Sequence, residues 1–132
     1  VLTIEKDPEF AATARKNMEL AGVVDRVEVQ TGDVTELIDD LERFDVITLD
    51  TRDAPQVVQR AADLLVTGGF VAVYSPFVES AREVEGAAEM ADLADIRTIE
   101  TIQREFDFDE RGSRPTTAGV GHTGYLTFAR MT

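Results

Sequence analysis

The sequence predicts an α/β fold in which a mostly parallel sheet ends in an antiparallel pair of strands. Three short apolar runs alternate with segments of helical periodicity, which is typical of right-handed crossovers and a parallel sheet. The last two strand candidates, in "IRTIETIQREFDF" and "GYLTFAR", have no helix between them and are expected to pair antiparallel. A chain of 132 residues with 43% apolar content is long enough for one domain, residues 1–132.

The first elements are indicated by strand and capping signals. "VLTIE" predicts a strand, and Asp7-Pro8 supplies an N-cap and a first-turn proline for a helix that should end at Gly22. "RVEVQ" is the next strand candidate. "FDVITLD" is a third, and its nearly continuous apolar character predicts burial on both faces, as in a parallel sheet.

Two more helices are expected in the second half of the chain. Asp53 is predicted to cap one that carries apolar residues from Val57 to Leu65 and stops at the Thr-Gly-Gly of residues 67–69, before the strand "FVAVY". After Ser75-Pro76, another helix places five apolar residues on one stripe: Phe77, Ala81, Val84, Ala88 and Ala91. A polar, glycine-rich loop, "DERGSRPTTAGVGH", joins the last two strands.

The composition limits the kinds of site. Cysteine is absent, which excludes disulfides and thiolate metal sites, and His122 is the only histidine, so no metal site is expected. No run approaches the roughly 18 apolar residues of a membrane span, and no signal-peptide pattern opens the chain. A soluble, cytoplasmic protein without a membrane partner is expected.

The net charge of −13 is interpreted as a surface adapted to high salt. The chain has 26 acidic residues, scattered along its length, and only Lys6 and Lys16 among its 13 basic residues are lysines. At molar ionic strength the Debye length falls to about 3 Å, so dense carboxylates repel each other little. The charge of a halophile's surface says little about partners and does not exclude a nucleic acid.

Three carboxylates follow predicted strands, where doubly wound sheets bind their ligands. Glu5 is placed to accept hydrogen bonds from a nucleotide's ribose hydroxyls, although a surface acid is the alternative. Asp33 is placed to accept from the amino group of an adenine ring, to cap the helical turn "VTELIDD", or both. Asp50 ends a nearly apolar central strand and is expected at the floor of a ligand cleft.

A glycine pattern near the end of the chain imitates a phosphate-binding loop. Gly119, Gly121 and Gly124 fit G-x-G-x-x-G, but such a loop must follow a strand and open a helix. Only eight residues follow Gly124, and "YLTFAR" alternates like a strand. The match is therefore rejected as a cofactor loop, and the true glycine loop is expected before Glu5, after a strand that precedes Val1.

Three further side chains have weak signals by themselves. Tyr74 ends a predicted strand, where it is suited either to line a pocket or to fill the interior. Arg114 and His122 flank the glycine-rich loop, and an arginine among acids is commonly part of a surface ion pair.

With these elements in place, the sequence resembles the tRNA (adenine-N1)-methyltransferase family, whose class I, S-adenosylmethionine-dependent fold ends in an antiparallel strand pair. The similarity runs from "VLTIEKDPEFAATARKNMELAG" through "FDVITLD" and "GGFVAVYSPFVE" to "RP…GHTGYLTFAR". The early strands and acids are common to many such methyltransferases. The closing segment, Arg114-Pro115 followed by "GHTGYL", is much more particular to this family.

The resemblance implies transfer of a methyl group from S-adenosylmethionine to N1 of adenine 58, or of adenines 57 and 58, in the T loop of tRNA. Glu5 matches the ribose-binding acid, Asp33 matches the residue beside the cofactor adenine, and Asp50 matches the catalytic aspartate, which also borders the cofactor. Arg114, Pro115, His122 and Thr123 match the strand-connecting segment that borders the target base, and Tyr74 is also expected on the substrate side. The family's proline and aromatic residue after the catalytic aspartate are replaced by "DTRDAPQ", which puts the base-stacking wall in doubt.

The resemblance also implies partners and missing parts. The family is commonly tetrameric, and its first strand, glycine-rich loop and small N-terminal β domain would precede Val1, so the fragment alone is expected to be inactive. Two alternatives stay open: a class I methyltransferase for another substrate, and a nicotinamide-binding oxidoreductase domain in which Glu5 would hold a ribose. The antiparallel ending argues against the second.

Overall fold

The computed structural model describes residues 1–117 and 121–132. They form two compact units, Val1–Arg43 and Phe44–Thr132. The single domain expected from the length stays a prediction. Gly119 of the glycine pattern lies outside the described residues. In the described part of the chain, no helix is long and apolar enough to cross a membrane.

The first unit is a β-α-β element followed by a short helical turn. Its elements are β1 (Leu2–Glu5), α1 (Pro8–Ala21), β2 (Glu28–Thr31), α2 (Val34–Leu37) and a 3₁₀ turn (Ile38–Asp40). β1 and β2 pair in parallel, with Glu5 opposite Thr31. The predicted first strand, first helix and second strand are thereby confirmed.

Helix α1 begins and ends where the capping signals place it. The Asp7 carboxylate accepts a hydrogen bond of 2.7 Å from the backbone N–H of Glu9, and Gly22 ends the helix with φ +66°. The helix is buried through Ala11, while Phe10 in the same turn is 66% exposed. Arg15 ties α1 to β2 by donating to the carbonyl of Val29 at 2.8 Å.

The second unit contains a four-stranded sheet, its helices and a separate hairpin. Its elements are β3 (Phe44–Leu49), α3 (Ala54–Gln59), α4 (Ala61–Leu64), β4 (Leu65–Ser75), α5 (Val78–Met90), β5 (Ala94–Glu100), β6 (Phe106–Asp109), β7 (Gly112–Pro115) and β8 (Tyr125–Arg130). The strand order is β3-β4-β8-β5. β3 and β4 are parallel, whereas β8 is antiparallel to both β4 and β5, which confirms the predicted antiparallel ending.

The core of the second unit lies on one face of this sheet, under α3 and α5. Its buried members include Ala54, Val58, Leu65, Val71, Val73, Val84, Ala88 and Ala129. β3 alternates rather than being buried on both faces: Ile47 and Leu49 pack against the core, but Val46 is 59% exposed. The prediction of two buried faces was wrong, because period two sends alternate side chains of β3 to opposite faces and the core of the second unit lies against only one of them.

The glycine pair at residues 68–69 is part of strand β4 and not a helix stop. The helical segment breaks at Arg60, and the strand begins at Leu65. Gly68 has φ +84°, and a Cβ on Gly69 would lie 2.9 Å from the carbonyl oxygen of Val66. The pairing with β3 shifts register here, so the glycines form an irregularity in which backbones approach closely.

The connection between β5 and β8 contains a hairpin, where the sequence predicts the end of a strand followed by a loop. β6 and β7 pair antiparallel, with Asp107 opposite Arg114, and every residue of both strands is exposed. The Asp109 carboxylate accepts from the Arg111 N–H at 2.8 Å, and Gly112 has φ +139°. The sequence predicts "FDF" as the end of the preceding strand, but that strand ends at Glu100.

Candidate active site

Glu5 lies at the carboxyl end of β1, where its side chain is held by the start of the next turn. Its Oε1 accepts a hydrogen bond of 2.8 Å from the backbone N–H of Asp7, and its backbone carbonyl accepts one of 3.0 Å from Gly32. The side chain is half-buried. A carboxylate oriented in this way keeps Oε2 for a donor on a ligand.

Asp33 follows β2 and caps α2, as predicted. Its Oδ1 accepts from the backbone N–H of Thr35 at 2.9 Å and from the Thr35 hydroxyl at 2.7 Å. Its Oδ2 lies 2.5 Å from Nζ of Lys6. The hydrogen bond from Lys6, followed by those from Thr35, lowers the pKa of Asp33 from 3.8 to about 2. Asp33 is therefore ionised throughout the neutral range, and one of its roughly four acceptor positions is still open.

Asp50 follows β3 in the second unit. Leu49 is paired with Val73, so Asp50 and Tyr74 come next at the same level of the two parallel strands. The turn after Asp50 is closed by the Asp53 N–H, which donates to the Thr51 hydroxyl at 3.3 Å. Asp50 is exposed to solvent rather than enclosed, so a molecule arriving from solution can reach its carboxylate.

Three strand ends of the second unit meet at the same edge of the sheet. Ser75, the last residue of β4, pairs with Tyr125, the first of β8, and Tyr125 also pairs with Glu100, the last of β5. The register therefore brings Tyr74 and the residues before Tyr125 together, as the sequence interpretation required.

Two contacts hold the residues that precede β8. The Thr123 hydroxyl donates a hydrogen bond to Oε1 of Glu100. The Tyr74 ring lies against Gly124: a Cβ added at Gly124 would be 2.7 Å from both Cζ and Oη of the tyrosine. Position 124 thus requires glycine, because the Tyr74 ring occupies the space that a Cβ would need. Glu100 is not among the predicted site residues, because the sequence predicts a strand that continues past it to residue 108, so it is not recognised as a strand end.

Arg114 and His122 are exposed and are not brought to Asp50 by a described contact. Arg114 lies in β7, opposite Asp107, and His122 precedes Thr123. Gly121 has open space where a Cβ would be. The structure therefore joins Tyr74 and Thr123 at one edge, and the substrate roles of all four residues stay predictions.

A surface depression of about 480 Å³ lies in the first unit, away from Glu5 and Asp33. It is lined by Val1, Leu2 and residues 24–28, around the amino end of β1. The carboxylates lie at the opposite end of the same strands, which is where open α/β sheets bind their ligands.

The chain was compared with known protein families, curated proteins and solved structures. No family model matches the chain. The chain is 34% identical to the tRNA (adenine(57)-N(1)/adenine(58)-N(1))-methyltransferase TrmI of Methanocaldococcus jannaschii, over 99% of this chain and 55% of that protein. The chain is TrmI-like. It is also 27% identical to the tRNA (adenine(58)-N(1))-methyltransferase TrmI of Thermus thermophilus, over 98% of this chain and 51% of that protein.

Solved structures bear out the fold. A SAM-dependent O-methyltransferase from Thermotoga maritima superposes with a TM-score of 0.86 at 26% identity, over 100% of this chain and 49% of that one. The predicted class I methyltransferase fold and the TrmI-like resemblance are confirmed. The TrmI-like chain spans about half the length of the curated relatives it matches.

Proposed function

We propose that the protein carrying this TrmI-like sequence transfers a methyl group from S-adenosylmethionine to N1 of an adenine in the T loop of tRNA, at position 58 or at positions 57 and 58. The observation that carries the proposal is the similarity to TrmI over nearly the whole chain, including the segment before β8. A carboxylate beside a tyrosine at the end of the parallel strands supports it.

Glu5 and Asp33 fit the nucleoside end of the cofactor. A ribose diol offers hydroxyl donors, and the Glu5 carboxylate is oriented by the Asp7 N–H with one oxygen open to accept them. Asp33 is ionised and retains an acceptor position for an adenine amino group. When bound, S-adenosylmethionine would supply an electrophilic sulfonium methyl, and these two residues would hold and orient its nucleoside end.

Asp50 has the properties needed to position the target base. Adenine N1 is normally paired, so the base must leave its stack and present its Watson–Crick edge. The Asp50 carboxylate accepts a hydrogen bond from the exocyclic amino group, which orients N1 and stabilises the positive charge that develops on the ring. Tyr74 flanks the same edge of the sheet. Most of the acceleration comes from positioning and electrostatics.

The test of this proposal replaces Asp50 and measures methyl transfer to tRNA by the complete protein. Asp50→Ala should lower kcat by about 100-fold or more, the scale of losing one preorganised electrostatic contact. Asp53→Ala is the matched control, since Asp53 lies in the same turn and its side chain makes no capping hydrogen bond. A variant that keeps the full rate without Asp50 would remove this residue from the mechanism.

A methyltransferase for another acceptor is the second candidate. The similarity to an O-methyltransferase over the whole chain favours it. The methylated atom distinguishes the two, because N1-methyladenosine and a methyl ether or ester separate cleanly in product analysis.

A further inference from the structure

Glu100 makes a directed contact with the segment that precedes β8. Glu100 is the last residue of β5 and pairs with Tyr125, which follows Thr123 by two residues. The Thr123 hydroxyl donates to Oε1 of Glu100. β5 thereby fixes the side chain of a residue that the family resemblance assigns to the substrate side.

This hydrogen bond determines what the Thr123 hydroxyl can offer to a substrate. A threonine hydroxyl has one proton and two lone pairs, whereas a carboxylate only accepts. The proton is therefore committed to Glu100, and the hydroxyl oxygen is left as an acceptor. An acceptor beside a carboxylate repels phosphate oxygens and receives an N–H or O–H donor.

The backbone at this point is fixed from the other side. The Tyr74 ring covers Gly124 so closely that no Cβ fits between them, and Thr123 is half-buried. The segment is thus held through its side chain by β5 and at its backbone by β4. Such preorganisation is what keeps a contact with a substrate in productive geometry.

We propose that Glu100 is a positioning residue that turns the Thr123 hydroxyl into an acceptor for a donor group of the substrate nucleoside, an amino or ribose hydroxyl group, and not for a phosphate. The inference rests on the proposed function, because it takes tRNA as the substrate.

The test measures kcat/KM for tRNA, together with the dissociation constant of S-adenosylmethionine by calorimetry, in the complete protein. Glu100→Ala should lower kcat/KM about tenfold, as expected for a partly exposed hydrogen bond to a charged group, and leave cofactor affinity within about twofold. Glu100→Gln should recover most of the rate, because its amide oxygen still accepts from Thr123. Thr123→Val should match Glu100→Ala, and the double variant should be no worse than either single one.

Controls separate this inference from the proposed function. Glu89→Ala, on an exposed position of α5, should behave as the unmodified protein. If the unmodified protein methylates tRNA and Glu100→Ala does so equally well, the inference is overturned and the function stands. Equal losses of kcat/KM in Glu100→Ala and Glu100→Gln would contradict the role of Glu100 as the acceptor of the Thr123 hydrogen bond. An unmodified protein without activity on tRNA would overturn both proposals. Should Glu100→Ala not fold, Thr123→Ser and Thr123→Val test the Thr123 hydroxyl directly. Only the serine variant, which keeps the hydroxyl, should retain activity, and a fully active valine variant would overturn the inference.

Discussion

Adding a single methyl group at Gly124 should displace Tyr74 and reveal what that ring does. The new Cβ would lie 2.7 Å from Cζ and Oη of Tyr74, about 1 Å inside a normal carbon contact of 3.5–4.0 Å. Tyr74 is 41% exposed, so the ring has solvent to move into. A ring forced off its rotamer costs about 1 kcal/mol, which corresponds to a fall in Tm of roughly 4 °C in a domain of this size.

The assay compares Gly124→Ala with Gly121→Ala by thermal unfolding and by methylation of tRNA. Gly121 lies in the same segment, and a Cβ there meets nothing within 4 Å, so its variant should change neither quantity. Gly124→Ala should also lower kcat/KM for tRNA about tenfold, because Tyr74 would leave the edge of the sheet at which the proposed function positions the base. In a Tyr74→Ala background the stability cost of Gly124→Ala should vanish. Equal behaviour of the two glycine variants would refute this account of Tyr74.

Two further perturbations test the fold and the electrostatics. Gly69→Ala should destabilise the protein by about 1–3 kcal/mol in urea unfolding, because the added Cβ meets backbone oxygens that cannot move aside. The control Gly86→Ala in α5 should be neutral or stabilising by up to about 1 kcal/mol. A Gly69→Ala variant as stable as the unmodified protein would contradict the close approach in β4. The Asp33 pKa is lowered, so its contribution to stability is complete above pH 3.8 and is lost as the pH falls towards 2. An NMR titration should give a midpoint near 2 that Lys6→Met moves upward, and a midpoint unaffected by Lys6→Met would exclude the ion pair as its main cause.

Local signals predicted the elements well where the chain obeys short-range rules. Asp7 and Gly22 set both ends of α1 through contacts within a few residues, and Asp33 caps α2 in the same way. The antiparallel ending followed from a missing helix. In these places sequence and structure share one physical cause, namely the hydrogen bonding of helix ends and the length of connections.

The errors arose where tertiary contacts decide the outcome. Gly68 resembles a helix stop in sequence, but the close approach of β3 makes it part of β4. The exposure of Val46 depends on which face of the sheet the core covers, and that information is non-local. The high-salt adaptation and the tetramer stay predictions.

The sequence predicted which residues lie at the ends of strands, but it did not predict the contacts between them. Asp50 and Tyr74 were selected as strand ends, and the register places them at the same level. Glu100 was not selected, because its partner Thr123 is 23 residues away in the chain. Pairings of that range depend on sheet order, which no local pattern encodes.

The most direct test of the central claim is nucleoside analysis of tRNA treated with the complete protein and S-adenosylmethionine. Unmodified tRNA should gain N1-methyladenosine in the T loop, and tRNA in which the T-loop adenines 57 and 58 are replaced should gain none. Methylation of an oxygen, of a different base, or of no nucleoside at all would contradict the proposed function.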